Sequence, residues 1–120
     1  MKLAAIDIGS NAARLLISEV RVDEKDKASF SKVSLTRVPL RLGFDVFETG
    51  KISDKKIGLL LHTMKAYISL MQAFEVKYLK ACATSAMRDA SNGKEIITLV
   101  KNETGIEIEI KIGRESCRER

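Results

Sequence analysis

Between Asp7 and Arg14 the chain sets a carboxylate, a run of small polar residues and a guanidinium: Asp7-Ile8-Gly9-Ser10-Asn11-Ala12-Ala13-Arg14. One apolar run, Lys2 to Ile8, leads in, and a second, Arg14 to Val22, leads out. Two strands joined this way make a hairpin whose tip is backbone N–H, hydroxyl and amide. Such a tip suits phosphate oxygens. Gly9 lacks a Cβ, so the main chain can approach a ligand closely and take a positive φ. Successive N–H groups in a tight turn make an anion-binding nest. Ser10 and Asn11 add side-chain donors, and Arg14 adds a planar fork for phosphate. Asp7, at the strand end, is placed to hold a hard cation such as Mg²⁺ through water. The same residues also read as an ordinary hairpin turn.

A second cluster is Ala83-Thr84-Ser85-Ala86-Met87-Arg88. It follows an apolar strand at the end where open α/β sheets bind ligands. Thr84, Ser85 and Arg88 could face one phosphate. Alternatively, Thr84 and Ser85 cap the next helix and Arg88 lies on the surface. Two loops of this chemistry at the same end of one sheet support each other.

The elements that must position these loops follow from periodicity. Lys2 to Ile8 is a short apolar run, as expected for a strand buried on both faces. Arg14 to Val22 is its antiparallel partner, and Ala28 to Val38 a third strand after the charged turn Asp23-Glu24-Lys25-Asp26-Lys27. Pro39 ends the pairing. Val38 to Gly50 is less regular, with Arg41, Gly43, Phe44 and Asp45 preceding Phe47-Glu48-Thr49-Gly50, a turn-like stretch. Ser53 is a good N-cap with Asp54 in the first turn. Apolar residues then fall at Ile57, Leu60, Leu61, Met64, Ile68 and Met71, a helical stripe running to Phe74. His62, beside that stripe, reads as structural. Val76 to Ala83 is a strand, Glu95 to Thr104 a helix started near Asn92-Gly93, and Gly105 its C′ glycine. Ile106, Ile108 and Ile110 alternate with glutamates as a half-exposed strand. Strands separated by helices pair in parallel with right-handed crossovers. The expectation is an α/β domain with a mixed five-stranded sheet, its first three strands antiparallel, and flanking helices.

Composition narrows the class. A chain of 120 residues, 45% hydrophobic with one proline, folds around a core. No apolar run reaches the roughly 18 residues that a membrane helix needs. Two cysteines, Cys82 and Cys117, form no metal pattern, and Cys82 reads as a core thiol of a reduced, cytoplasmic protein. The net charge of +5 is spread out, without a basic run interleaved with aromatics. It points to a polyanionic small molecule at least as well as to nucleic acid, and no specific nucleic-acid site is expected.

Three segments together resemble one family. They are Ala5-Ile6-Asp7-Ile8-Gly9-Ser10-Asn11, Val38-Pro39-Leu40-Arg41-Leu42-Gly43, and Ala83 to Gly93 (Ala83-Thr84-Ser85-Ala86-Met87-Arg88-Asp89-Ala90-Ser91-Asn92-Gly93). In order and spacing they resemble the N-terminal lobe of the exopolyphosphatase / guanosine pentaphosphate phosphohydrolase (Ppx/GppA) family, over residues 1–110. The resemblance implies an actin-like ATPase lobe with ribonuclease-H-like sheet order. It implies one half of a two-lobed, Mg²⁺-dependent enzyme that removes the terminal phosphate from inorganic polyphosphate or guanosine pentaphosphate, with a homodimeric parent. Asp7 would hold Mg²⁺. Gly9, Ser10, Asn11, Thr84 and Ser85 would bind phosphate, with Arg14 at the limit of reach. Arg88 would meet transition-state charge.

The family's general base is implied to sit in a Ser-Gly-x-Glu-Glu-Ala segment. Ile112-Gly113-Arg114-Glu115-Ser116-Cys117 stands in its place. Gly113 and Glu115 match, but Ser116 stands where the base belongs, which leaves a catalytic Glu115 in doubt. Residues 111–120 look like a translated sequencing-adapter remnant on a truncated frame, foreign to the lobe. A genuine basic tail is the rival. Such a fragment would be inactive alone. Two other functions remain in view, an ATP-dependent kinase of the same superfamily and a non-catalytic sensor of guanosine tetraphosphate or polyphosphate.

Overall fold

A computed structural model of the chain describes residues 1–111. Five strands form one sheet: β1 (Lys2–Ile8), β2 (Ala12–Val22), β3 (Ala28–Pro39), β4 (Tyr78–Ala83) and β5 (Ile108–Ile110). Their order across the sheet is β3-β2-β1-β4-β5. β1–β2 and β2–β3 pair antiparallel, and β1–β4 and β4–β5 pair parallel. This is the mixed sheet that the hydrophobic pattern calls for. β1 lies at the centre because it alone joins the antiparallel and the parallel halves.

Four helices connect the strands: α1 (Leu42–Thr49), α2 (Asp54–Ala73), α3 (Ser85–Asp89) and α4 (Gly93–Thr104). Ser53 caps α2 as expected, its hydroxyl accepting from the Lys56 amide at 3.3 Å. Gly105 ends α4 at φ 83°, the left-handed conformation that favours glycine there. The core joins Ala4, Ile6, Ile8, Ala13, Leu15 and Ile17 from the sheet to Leu60, Met64 and Tyr67 of α2 and Ile96 and Val100 of α4.

The structure departs from expectation at four places. The segment 38–50 is not a turn-like stretch throughout but contains α1. That helix is eight residues long and leaves Phe44 and Phe47 exposed, so its apolar residues do not all mark the core face. β1 is fully buried on one face only: Ala4, Ile6 and Ile8 are buried, while Leu3, Ala5 and Asp7 are partly exposed. Among the described residues, helices cover one face of the sheet. Tyr67, absent from the apolar stripe, is one of the largest fully buried side chains. Cys82 is fully buried in β4 but stands outside the main core cluster. His62 lies exposed on α2.

Candidate functional site

The β1–β2 hairpin turns within a few residues. The Gly9 amide donates to the Ala12 carbonyl at 2.9 Å and closes the turn. Parallel pairing then lays the end of β4 beside the end of β1. Ile8 is in register with Ala83, and the Thr84 amide donates to the Ile8 carbonyl at 3.1 Å. Both candidate loops therefore leave the same end of the sheet. Their closest link is a hydroxyl pair, Ser10 Oγ and Ser85 Oγ, 2.8 Å apart across 75 residues of sequence. In such a pair one hydroxyl donates to the other, and the second keeps its proton for an outside acceptor. An anion could take that proton without either side chain leaving its place.

The other expected residues lie as follows. Asp7 and Arg14 are cross-strand partners, and their side chains form an ion pair at 2.9 Å on the open face of the sheet. With Ala5, Leu16, Ser18, Lys32 and Leu35 they line a shallow cavity of about 190 Å³. Arg14 thus engages the carboxylate rather than the hairpin tip. Arg88 is exposed; its Nε donates to Asp89 at 3.2 Å and its Nη1 to the Lys111 carbonyl at 3.5 Å, toward the end of β5. Thr84 stands at the N-cap of α3 but makes no side-chain capping bond. Ser85, paired with Ser10, is likewise not spent on a cap. Glu115 lies outside the described residues.

Gly9 is the residue whose sequence signal misleads. Its φ is not positive. A Cβ built there would meet only the Ala12 carbonyl oxygen, at an ordinary 3.6 Å. Its amide is occupied by Ala12 and is not turned outward. Crowding falls instead on Gly43, in the first turn of α1. There a Cβ would stand 2.9 Å from Ser10 Cβ. The backbone of segment 40–43 ties down the hairpin tip: Leu40 and Arg41 amides donate to the Asn11 carbonyl at 3.1 and 2.9 Å, and the Gly43 amide to the Ser10 carbonyl at 2.9 Å.

Arg41 can make that turn because it adopts the left-handed region, φ 56°, uncommon for a non-glycine residue. Lys56 holds it there, its Nζ donating to the Arg41 carbonyl at 2.8 Å and pairing with Asp45 at 2.9 Å. The backbone amide of Ser53, donating to Asp45, chiefly holds that carboxyl below the usual aspartate value; Lys56 adds to it.

On the far side, Asn92 donates from Nδ2 to the Ile52 carbonyl at 2.9 Å, and accepts from the Ile52 amide through Oδ1 at 3.0 Å. So the Asn92-Gly93 pair is structural, locking the start of α4 to the loop before α2.

The donor set for a cation is narrow. Asp7 is the one carboxylate at the loops' strand ends, and no three metal-ligating side chains gather among the described residues. That set fits Mg²⁺ taken through a single carboxylate plus ligand phosphate oxygens; it does not fit an all-protein cage.

Known proteins share this architecture. A member of the Ppx/GppA family from Aquifex aeolicus superposes with a TM-score of 0.83 at 34% identity, covering 92% of this chain and 35% of that one. An exopolyphosphatase from Cytophaga hutchinsonii, at 24% identity, has the same fold with a TM-score of 0.80. Exopolyphosphatase 1 of Mycobacterium tuberculosis is 31% identical over 118 residues, 98% of this chain and 33% of the relative. A bifunctional 3-dehydroquinate synthase/phosphatase of Fusobacterium nucleatum is 33% identical over 107 residues. The chain spans about a third of the length of the exopolyphosphatase 1 relatives it matches. The sheet is the expected actin-like lobe, and the Ppx/GppA phosphatase family model matches residues 21–118. Sequence and fold agree on one assignment: the chain belongs to the Ppx/GppA phosphatase family.

Proposed function

We propose that the protein carrying this chain hydrolyses the terminal phosphoanhydride bond of inorganic polyphosphate, with guanosine pentaphosphate as the second substrate of the same class. The observation that carries this is the Ser10–Ser85 hydroxyl pair, which joins two phosphate-friendly loops at one sheet end. The names of the exopolyphosphatase relatives favour polyphosphate. A cytoplasmic location belongs to the same reading.

Phosphoryl transfer demands placement and charge neutralisation more than covalent chemistry. Ser10, Ser85 and Thr84 would orient the terminal phosphoryl group through hydroxyl donors, and the Asn11 amide would add a further donor. Arg88 would leave Asp89 and turn to the phosphoryl oxygens. The Arg88–Asp89 pair is exposed and joins sequence neighbours, so releasing it costs little. Asp7 would hold Mg²⁺, which when bound neutralises charge on the phosphate chain. Arg14, freed from Asp7, would stay on the open face beside Lys32 and meet the chain's more distant phosphates. None of these residues is a base that orients water, so turnover is expected of the protein at the length of its relatives rather than of this chain alone.

The test is phosphate release by the protein at the length of its relatives, with tripolyphosphate, long-chain polyphosphate and guanosine pentaphosphate, each with and without Mg²⁺. Release that needs Mg²⁺ is the expected result. Calorimetric binding of those ligands without release would make the protein a sensor, and phosphate transfer from ATP to an acceptor would make it a kinase. Either outcome overturns the proposal.

A further inference from the structure

We infer that Gly43 is a positioning residue for the phosphate site: its missing side chain sets where Ser10 stands against Ser85. The inference rests on the proposed phosphate chemistry for its consequence, but its geometry stands apart from it. An ideal Cβ on Gly43 would lie 2.9 Å from Ser10 Cβ, 3.3 Å from Ser10 Oγ and 3.4 Å from the Ser10 carbonyl oxygen. The Gly43 amide meanwhile donates to that same carbonyl at 2.9 Å. Gly43 thus holds the Ser10 main chain from one side, and its bare Cα leaves the Ser10 side chain room to reach Ser85. Backbone freedom does not explain the glycine, because Gly43 is not among the residues with positive φ. Nor does helix stability, since alanine is the better helix former. Space for Ser10 is what remains.

The overlap cannot be relieved by a flexible side chain swinging away, because the nearest atom is a Cβ fixed to the backbone. The hairpin tip is also tied to segment 40–43 at Asn11, through the Leu40 and Arg41 amides. An added methyl group therefore displaces the tip as a unit. Gly58 of α2 supplies the contrast: a Cβ there meets nothing within 4 Å.

Four variants in the protein at the length of its relatives decide the matter: Gly43→Ala, Ser10→Gly, the two combined, and Gly58→Ala. Thermal unfolding is read first, without ligand. Gly43→Ala is expected to lower the melting temperature and Gly58→Ala to raise or hold it. Adding Ser10→Gly to Gly43→Ala is expected to recover part of the loss, because the overlapping atoms are gone. Contacting residues show such non-additivity, whereas independent ones add. An additive cycle overturns the inference. So does a combined variant that fails to fold whenever Gly43→Ala does.

Tripolyphosphate turnover is read second. Gly43→Ala is expected to lower kcat/KM by ~10- to 100-fold, the scale of a misplaced binding group. The same substitution on a Ser10→Gly background is expected to cost almost nothing further, because its effect runs through Ser10. Gly58→Ala is expected to leave kcat/KM unchanged. An equal loss from Gly43→Ala on both backgrounds overturns the positioning role. If the unaltered protein neither binds nor cleaves tripolyphosphate, the proposed function falls, and the unfolding cycle still decides whether Gly43 places Ser10.

Discussion

At Tyr67 a single hydroxyl ties helix to sheet. The ring is fully buried, and the phenol donates to the Ala13 carbonyl at 3.0 Å, with Thr36 O at 3.4 Å. Those carbonyls belong to β2 and β3, just behind the hairpin tip. Burial pushes the phenol up to about 12 from an ordinary 10. A raised value means the folded state prefers the protonated form. Its stabilising effect is whole below pH 10 and is lost as pH rises through 12. Tyr67→Phe is expected to cost about 1–2 kcal/mol at neutral pH, the cost of leaving buried carbonyls without their donor. Above pH 10 the gap between the two proteins is expected to narrow. Urea unfolding at pH 7 and pH 11 measures both; a gap that widens with pH refutes this account of the hydroxyl. Tyr67 was not legible as core from the apolar stripe, because tyrosine is equally at home at a surface and only its partner carbonyls, distant in sequence, decide.

Among the elements, α4 docks against α3 with no room for a side chain at Gly93. An ideal Cβ at Gly93 would stand 2.1 Å from the Met87 carbonyl oxygen, a backbone atom with nowhere to go. Gly93→Ala is therefore expected to destabilise by about 3 kcal/mol, at the upper end of overpacking costs. Asn92→Ala is expected to cost about 2 kcal/mol, because it strips two bonds from the Ile52 backbone. Chemical denaturation of each variant checks these values, and a change within 0.5 kcal/mol (the usual scale for surface substitutions) would mean the junction is loose. This explains why Ala83 to Gly93 acts as one motif. Its first half offers hydroxyls to the site, and its second half anchors the helix that follows. The helix α1 was hidden for a different reason. It has only eight residues, two of them exposed phenylalanines, and the left-handed turn at Arg41 that starts it depends on Lys56, which arrives from the next helix.

Among the described residues, helices cover one side of the sheet. Leu3, Ala5 and Leu16 are half-buried on the other side, Leu35 and Tyr78 are exposed, and the Asp7–Arg14 pair sits among them. A lobe with that much apolar sheet open to water gains stability from any partner layer. The isolated 120-residue chain is thus expected to melt at a lower temperature than the same lobe inside the protein at the length of its relatives. Calorimetry on both forms checks this, and equal melting temperatures would show that the open face needs no cover.

The sequence by itself determined the sheet. Hydrophobic period, turn residues and the long helix α2 before β4 specify three antiparallel strands followed by parallel ones, since these signals are local and lie within one element or its cap. It also determined the chemistry on offer at the two loops, because side-chain type is written residue by residue. Tertiary structure alone decided which of those groups meet. Ser10 finds Ser85 only because parallel pairing of β1 and β4 brings distant residues together. Arg14 turns to Asp7 because cross-strand register sets them side by side. Gly43 and Gly93 rather than Gly9 are the crowded glycines, because crowding depends on what packs nearby, and a sequence does not list its neighbours in space.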